Sequence, residues 1–206
     1  MLKQLTSFGH SCFRIEAENG WIGVIDPYQE GSVPGLKLPK IEADAVYCSH
    51  DHADHCGADA VILRKSGPEN PYAAETVLTD HDDRGGSLRG KNRVLILTCG
   101  EEKIVHLGDL GCIPDEKTLA PMKHADVLMI PCGGYYTIDA AQANALIGML
   151  EPKTAVLMHF RSGGRGYDVL SSQDEVCRMI PGTAVSGKSG LKPGEYDGPV
   201  ILEPEQ

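Results

Sequence analysis

The chain has 206 residues, enough for one sizeable hydrophobic core and short for two, so a single domain over 1–206 is expected. Its 29 acidic residues outnumber 19 basic ones, and the net charge of −10 argues against nucleic acid as a partner. No apolar run reaches the about 18 residues of a membrane span. Met1 to Thr6 carries no apolar stretch of signal-peptide length, so a cytoplasmic protein without membrane association is expected.

Seven cysteines (Cys12, Cys48, Cys56, Cys99, Cys112, Cys132 and Cys177) are scattered, odd in number and free of any Cys-x-x-Cys pattern. That argues against a disulfide framework and against a thiolate zinc cluster, and it predicts small buried side chains.

In chain order, Ser11–Ile15 and Trp21–Ile25 flank the turn-like Glu18-Asn19-Gly20 and predict a hairpin ending at Asp26-Pro27. Residues 28–40 are rich in Gly and Pro and read as a loop. Ala43–Ser49 reads as a buried strand that delivers the chain to His50. Further strands are predicted at Thr76–Thr79, Arg93–Thr98, Lys103–Leu107, Val127–Pro131 and Thr154–Met158. The clearest helix is Asp139–Leu150, with Asp139 as cap, Gln142 three residues on and Pro152 beyond its end. Asp115–Lys123 and Gln173–Met179 are shorter candidates. Strands with intervening helices imply a layered α/β domain.

The richest feature is His50-Asp51-His52-Ala53-Asp54-His55, with three imidazoles and two carboxylates in one loop after a strand. Imidazole and carboxylate are the usual ligands of zinc and related divalent ions. A loop can aim several of these side chains at one point, which a straight element cannot. Other donors follow strand candidates in the same manner: Asp26, His81, Asp109 and His159. Rigid strand ends that stay open to substrate suit a site.

This order of motifs resembles the metallo-β-lactamase superfamily over nearly the whole chain. Gly9-His10-Ser11, Ile25-Asp26-Pro27, His106-Leu107-Gly108-Asp109-Leu110-Gly111, Pro131-Cys132-Gly133-Gly134-Tyr135-Tyr136-Thr137 and Leu157-Met158-His159-Phe160 resemble its branch of small metal-dependent hydrolases related to ascorbate-6-phosphate lactonase. The resemblance implies a four-layer αββα sandwich of the α/β class and two divalent metal ions. Zinc suits a nitrogen-rich, oxygen-bridged site best, and manganese, iron and nickel also tolerate one. The resemblance further implies His50, His52 and His81 on one ion, Asp54, His55 and His159 on the other, and Asp109 bridging both. His81 stands in Thr79-Asp80-His81-Asp82-Asp83 rather than the commoner Gly-His-Thr setting, and His106 is its rival as the third ligand.

The implied activity is hydrolysis of a small ester, lactone or phosphoester by a hydroxide generated between the ions. Asp54 would hold that hydroxide and accept its proton. A protonated His106 or a metal-bound water would protonate the leaving group. Asp26 would orient a ligand loop by hydrogen bonding, while His10 faces the substrate or is structural. A nuclease of the same superfamily and a non-enzymatic metal-binding protein on this fold are the alternatives. The expected partner is a small-molecule substrate. Arg161 and Arg165 among the glycines 163, 164 and 166, with Arg84 and Arg89, offer a seat for an anionic group, or else belong to a mobile loop facing water. Tyr135 and Tyr136 line the pocket or pack in the core. Few aromatics and no coiled-coil pattern leave the oligomeric state open.

Overall fold

A computed structural model describes residues 1–205. Its first half contains β1 (Leu2–Gly9), β2 (Cys12–Ala17), β3 (Ile22–Ile25), β4 (Ile41–Ala43), β5 (Ala45–Tyr47), β6 (Val61–Leu63), β7 (Ala73–Asp80) and β8 (Lys91–Cys99). The second half contains β9 (Glu102–His106), α1 (Glu116–Leu119), β10 (Val127–Pro131), α2 (Ala140–Leu150), β11 (Thr154–Met158), α3 (Gln173–Met179), β12 (Ala184–Val185), β13 (Gly190–Leu191) and β14 (Gly198–Ile201). The strands form a five-stranded sheet in the order β13-β1-β2-β3-β5 and a seven-stranded sheet in the order β12-β14-β11-β10-β9-β8-β7. β4 and β6 make a small separate pair.

Side-chain alternation assigns the layers. On β10, Val127 and Met129 turn towards the five-stranded sheet, where they meet Leu5, Phe13, Ile15, Trp21 and Ile25. Leu128 and Ile130 turn the other way, onto Leu119 of α1, Leu146 and Leu150 of α2 and Val176 of α3. A strand buried on both faces reads as a continuous apolar run, which is why Val127–Pro131 and Thr154–Met158 match their predicted bounds. The result is the expected α/β sandwich with one outer layer reduced. The three helices cover the seven-stranded sheet, while Tyr28, Val33, Ile41 and Val61 from coil and the β4–β6 pair close the outer face of the other.

Two predicted elements are broken by side-chain chemistry. The strand expected at Ala43–Ser49 is split at Asp44, whose carboxylate accepts from the Ile22 amide at 2.8 Å and pairs with Arg64, and β5 is only half buried. The helix expected at Asp115–Lys123 keeps its Asp115 cap, but Pro121 turns its second half into a 3-10 turn. α2 carries the predicted capping box of Asp139 and Gln142. Among the described residues no helix is long and apolar enough to cross a membrane.

Candidate metal centre

His10 follows β1, Asp26 follows β3, the His50–His55 loop follows β5, His81 follows β7, Asp109 follows β9 and His159 follows β11. β1 and β3 are both antiparallel to β2, and β5 is parallel to β3. β7 and β9 are both antiparallel to β8, while β9, β10 and β11 run parallel. Within each sheet the donor-bearing ends therefore share one end of the sandwich. Three of the residues there, His10, Asp26 and His159, have left-handed backbones with φ of 54°, 47° and 59°. Such a conformation costs a non-glycine residue about 1–3 kcal/mol, and it persists where the surrounding structure over-determines it.

Asp109, almost completely buried, is the hub. One carboxylate oxygen lies 3.2 Å from His55 Nε2, and the other lies 3.4 Å from His81 Nε2 and 3.3 Å from His159 Nε2. The His50 ring lies 4.5 Å from His52, 4.3 Å from His55 and 4.6 Å from His81, centroid to centroid. The donor atoms of His50, His52 and His81 form one group, all within 4.8 Å of each other, and those of His10, Asp54, His55 and His159 form another. Asp51 and His52 are exposed, so the loop faces solvent on that side.

A second layer orients these donors. Asp26, fully buried, accepts from the Ser49 amide at 2.7 Å, from the Ser49 hydroxyl at 2.7 Å and from His55 Nδ1 at 2.8 Å. With its proton on Asp26, the Ser49 hydroxyl is left to accept from His50 Nδ1 at 2.9 Å. One carboxylate thereby sets the tautomers of two imidazoles and points their Nε2 atoms at the cluster. Opposite them, buried Asn92 accepts the Asp109 amide at 2.9 Å and donates to Thr79 and to the Leu107 carbonyl, tying β7, β8 and β9 together. After His81, the Asp82 carboxylate accepts four backbone amides, from Arg84, Gly86, Leu88 and Arg89, at 2.8 to 2.9 Å. The Asp54 carboxylate meets His10 Nε2 at 3.2 Å and lies 3.3 Å from the Tyr167 hydroxyl, whose single proton is shared with the Ser32 carbonyl at 2.8 Å.

Burial pushes the His50 imidazole down to about 3, with the neighbouring His55 adding to the effect. It likewise pushes His10 to about 4, helped by His159. His55 goes the other way: burial opposes its charge, but Asp109 and Asp26 outweigh it and hold the imidazolium well above the usual range. Asp109 would be raised by burial, yet His159 and His55 keep it well below the carboxylate range.

The donor set fits divalent cations. His50 Nε2, His55 Nε2, His159 Nε2 and the Asp109 oxygen nearest His55 are buried, and their close approaches to one another lack the angles of a hydrogen bond. Buried polar atoms are normally paired, so this concentration of unpaired nitrogen and oxygen donors calls for positive charge. Metal uptake at His55 would expel its proton. Affinity is therefore expected to rise with pH until pH passes the raised His55 value. Calorimetric titration of zinc in two buffers of different ionisation enthalpy measures the protons released, and heats independent of the buffer would contradict it.

Not every candidate joins the cluster. His106 lies on β9 opposite Leu95 and Met129, on the face between the sheets. Its Nε2 donates to the Ser11 carbonyl at 3.0 Å and its Nδ1 accepts the Gly108 amide at 3.0 Å. With both nitrogens engaged on backbone, the proton-donor role expected of His106 has no free atom to act through. Cys48 and Cys56, expected as unpaired cysteines, form a disulfide that brackets the His50–His55 loop, with Cα atoms 5.4 Å apart. Arg161 donates to the Leu170 carbonyl at 2.8 Å and faces Glu175 at 3.9 Å, and Arg165 faces Glu203 at 3.2 Å. Both guanidiniums thus already meet carboxylates. The Arg89 guanidinium lies 5.5 Å from the centre of the Tyr136 ring, which packs edge-on against Tyr167. The adjoining Tyr135 is exposed.

Two motif glycines are fixed by the backbone of His81 and His159. A Cβ on Gly111 would sit 2.3 Å from the His81 carbonyl carbon, and one on Gly133 would sit 2.0 Å from the His159 carbonyl oxygen. Gly111→Ala and Gly133→Ala are each expected to destabilise the fold by about 1–3 kcal/mol, the usual cost of overpacking, and to weaken metal uptake. Thermal melting with metal titration checks this, and an unchanged affinity would show that the ligand peptide is not held by this contact.

Residues 4–159 match the family model described as a β-lactamase superfamily domain. A UPF0173 metal-dependent hydrolase from Carboxydothermus hydrogenoformans is 28% identical over 193 residues, covering 77% of this chain and 85% of its own. Another, from Thermoplasma acidophilum, is 25% identical over 206 residues, covering 85% and 89%. Among solved structures, a protein of the metallo-β-lactamase superfamily from Thermotoga maritima, provisionally described as a zinc-dependent hydrolase, superposes with a TM-score of 0.73 at 28% identity. The match covers 97% of this chain and 98% of that one. A metallo-hydrolase from Ignicoccus hospitalis, at 20% identity, shares the fold with a TM-score of 0.70 over 100% and 97% of the two chains.

Proposed function

Because the chain belongs to the metallo-β-lactamase superfamily and is a metal-dependent hydrolase, we propose that it uses two divalent ions, zinc in the first place, to hydrolyse a small ester, lactone or phosphoester. The observation that carries this reading is the pair of donor groups joined through Asp109. His50, His52 and His81 would hold one ion, Asp54, His55 and His159 the other, and Asp109 would touch both. Two ions held there would acidify a water and offset the charge that builds on the substrate oxygen.

The chain's own residues supply the rest. Asp54 is the least enclosed carboxylate of the cluster, with 18% of its side chain exposed against 3% for Asp109. It is the group placed to orient an incoming water and accept its proton, steadied by His10 and Tyr167. Tyr136 and Tyr167 form an aromatic wall beside it, and Arg89 above that wall supplies the positive charge an anionic substrate group would seek. The net charge of −10 favours a small molecule over a nucleic acid strand.

Elemental analysis of gently purified protein, with a panel of lactones, phosphodiesters and thioesters, tests the reading. Two equivalents of metal and turnover on one of these classes are expected, and a single equivalent overturns the two-ion part. On the preferred substrate Asp54→Asn is expected to lower kcat by about 10²–10⁴-fold, the usual range for a proton-transfer group, with the melting temperature of the metal-free protein little changed. A near-normal rate would remove Asp54 from the chemistry.

A further inference from the structure

His10 stands in the two-residue turn between β1 and β2, where Gly9 pairs with Cys12. Its backbone is left-handed, a conformation that hairpin turns normally assign to Gly, Asn or Asp. A histidine there is disfavoured locally, so its imidazole must recover the cost elsewhere. The turn reaches from one sheet to the other. The His10 carbonyl accepts the His159 amide at 3.1 Å, so two left-handed histidines from opposite sheets stand side by side, with ring centroids 4.1 Å apart.

The imidazole is fully enclosed. Nε2 lies 3.2 Å from Asp54, and Nδ1, although buried, has no partner. His106 provides the contrast within the same molecule: equally buried, it spends both nitrogens on backbone groups, as a structural histidine does. His10 instead shares its surroundings with Asp54, His55 and His159, all four donor atoms lying within 4.8 Å of one another. Two ligands of one zinc ion stand at most about 4 Å apart, twice the bond length, and the 3.2 Å between His10 and Asp54 falls inside that limit.

We propose that His10 is a further protein donor to the metal position served by Asp54, His55 and His159. The two positions are then unequal. The position with His10 is enclosed and rich in donors, whereas the position with His50, His52 and His81 keeps an exposed imidazole, His52, on its solvent side. The enclosed position should retain its ion longer against a chelator. This inference rests on the two-ion reading of the site.

Cobalt(II) alone is the probe, because it shifts the ring protons of each ligating imidazole out of the ordinary proton NMR range. With both positions filled, the wild-type protein is expected to show six shifted imidazoles, from His10, His50, His52, His55, His81 and His159. Five overturns the proposal. His10→Asn and His10→Gln retain an amide that can donate to Asp54, and Asn also tolerates the left-handed backbone. In each, one shifted imidazole is expected to disappear, with affinity at one position falling by about a hundredfold or more, beyond what loss of an outer contact costs. An unchanged imidazole count or wild-type affinity in both variants would reduce His10 to a hydrogen-bond partner of Asp54. If the wild-type protein takes up one equivalent of cobalt, the two-ion reading fails, and the presence or absence of the His10 signal still decides the ligand question.

Discussion

Replacing Asp109 by asparagine is expected to leave a folded protein that holds neither ion and hydrolyses nothing above background. The carboxylate approaches His55, His81 and His159 at 3.2 to 3.4 Å, so it meets donors of both groups. Asparagine matches its shape but carries no charge and turns an N–H₂ towards imidazoles whose lone pairs are wanted for metal. Loss of an outer contact to a ligand already costs about 10–100-fold in affinity, and a shared ligand should cost more at both positions. Stability separates this result from simple misfolding. A ligand that binds only the native state at 1,000 times its Kd stabilises by about 4.1 kcal/mol. Wild-type protein should therefore melt higher with zinc, while the Asp109→Asn protein should melt at one temperature with and without it. In the metal-free protein the change also takes the Asp109 charge away from His55, so its melting temperature is expected to fall below that of the wild type while the chain still unfolds cooperatively. A variant that still binds two equivalents would refute the bridging role.

How far the sequence discloses such a centre depends on whether the chemistry is local. His50 to His55 is legible because six consecutive residues carry the signal, and β10 and β11 because unbroken apolar runs, Val127–Ile130 and Ala155–Met158, have few other solutions. β1 escapes notice because Lys3, Gln4, Thr6 and Ser7 interrupt its apolar residues, although Thr6 and Ser7 are buried in the sheet. The strands β12 to β14 are short and lie among glycines and prolines. Ser49 and Asn92 have no motif; they matter because of what the fold brings within 3 Å of them. The Cys48–Cys56 pairing is likewise a fact of space. His10 and His106 show the limit most clearly. Each is a histidine beside a strand end, three or fewer residues from a glycine, and sequence cannot tell which way a strand side chain points. The pleat turns His106 between the sheets, and the left-handed turn swings His10 into the cluster.

A large loss of stability is also expected from Asp26→Asn. Asp26 is fully buried and holds the Ser49 amide, the Ser49 hydroxyl and the His55 imidazole within 2.8 Å, with His106 Nδ1 at 4.0 Å. Asparagine suits the left-handed backbone at this position as well as aspartate does, so the change tests the charge rather than the turn. Removing one partner of a buried ion pair costs about 3–5 kcal/mol, because the other charge stays behind unpaired. The pH dependence supplies the check. Burial alone would raise the Asp26 pKa, but the charge and hydrogen bond of His55, with Ser49 and His106, hold it below the usual carboxylate value. A carboxylate with a depressed folded pKa contributes stability that is fully present above its unfolded value, about 3.9. That stability is lost as pH falls through the folded value. His55, whose pKa is raised, loses its proton as pH climbs through its own folded value, and the ionic part of the pair goes with it. Denaturant unfolding of the two metal-free proteins should therefore show the widest gap between these limits, narrowing towards acid and again towards high pH. A gap that stays constant from pH 3 to neutrality would mean that shape and hydrogen bonding, rather than the Asp26 charge, hold the metal loop in place.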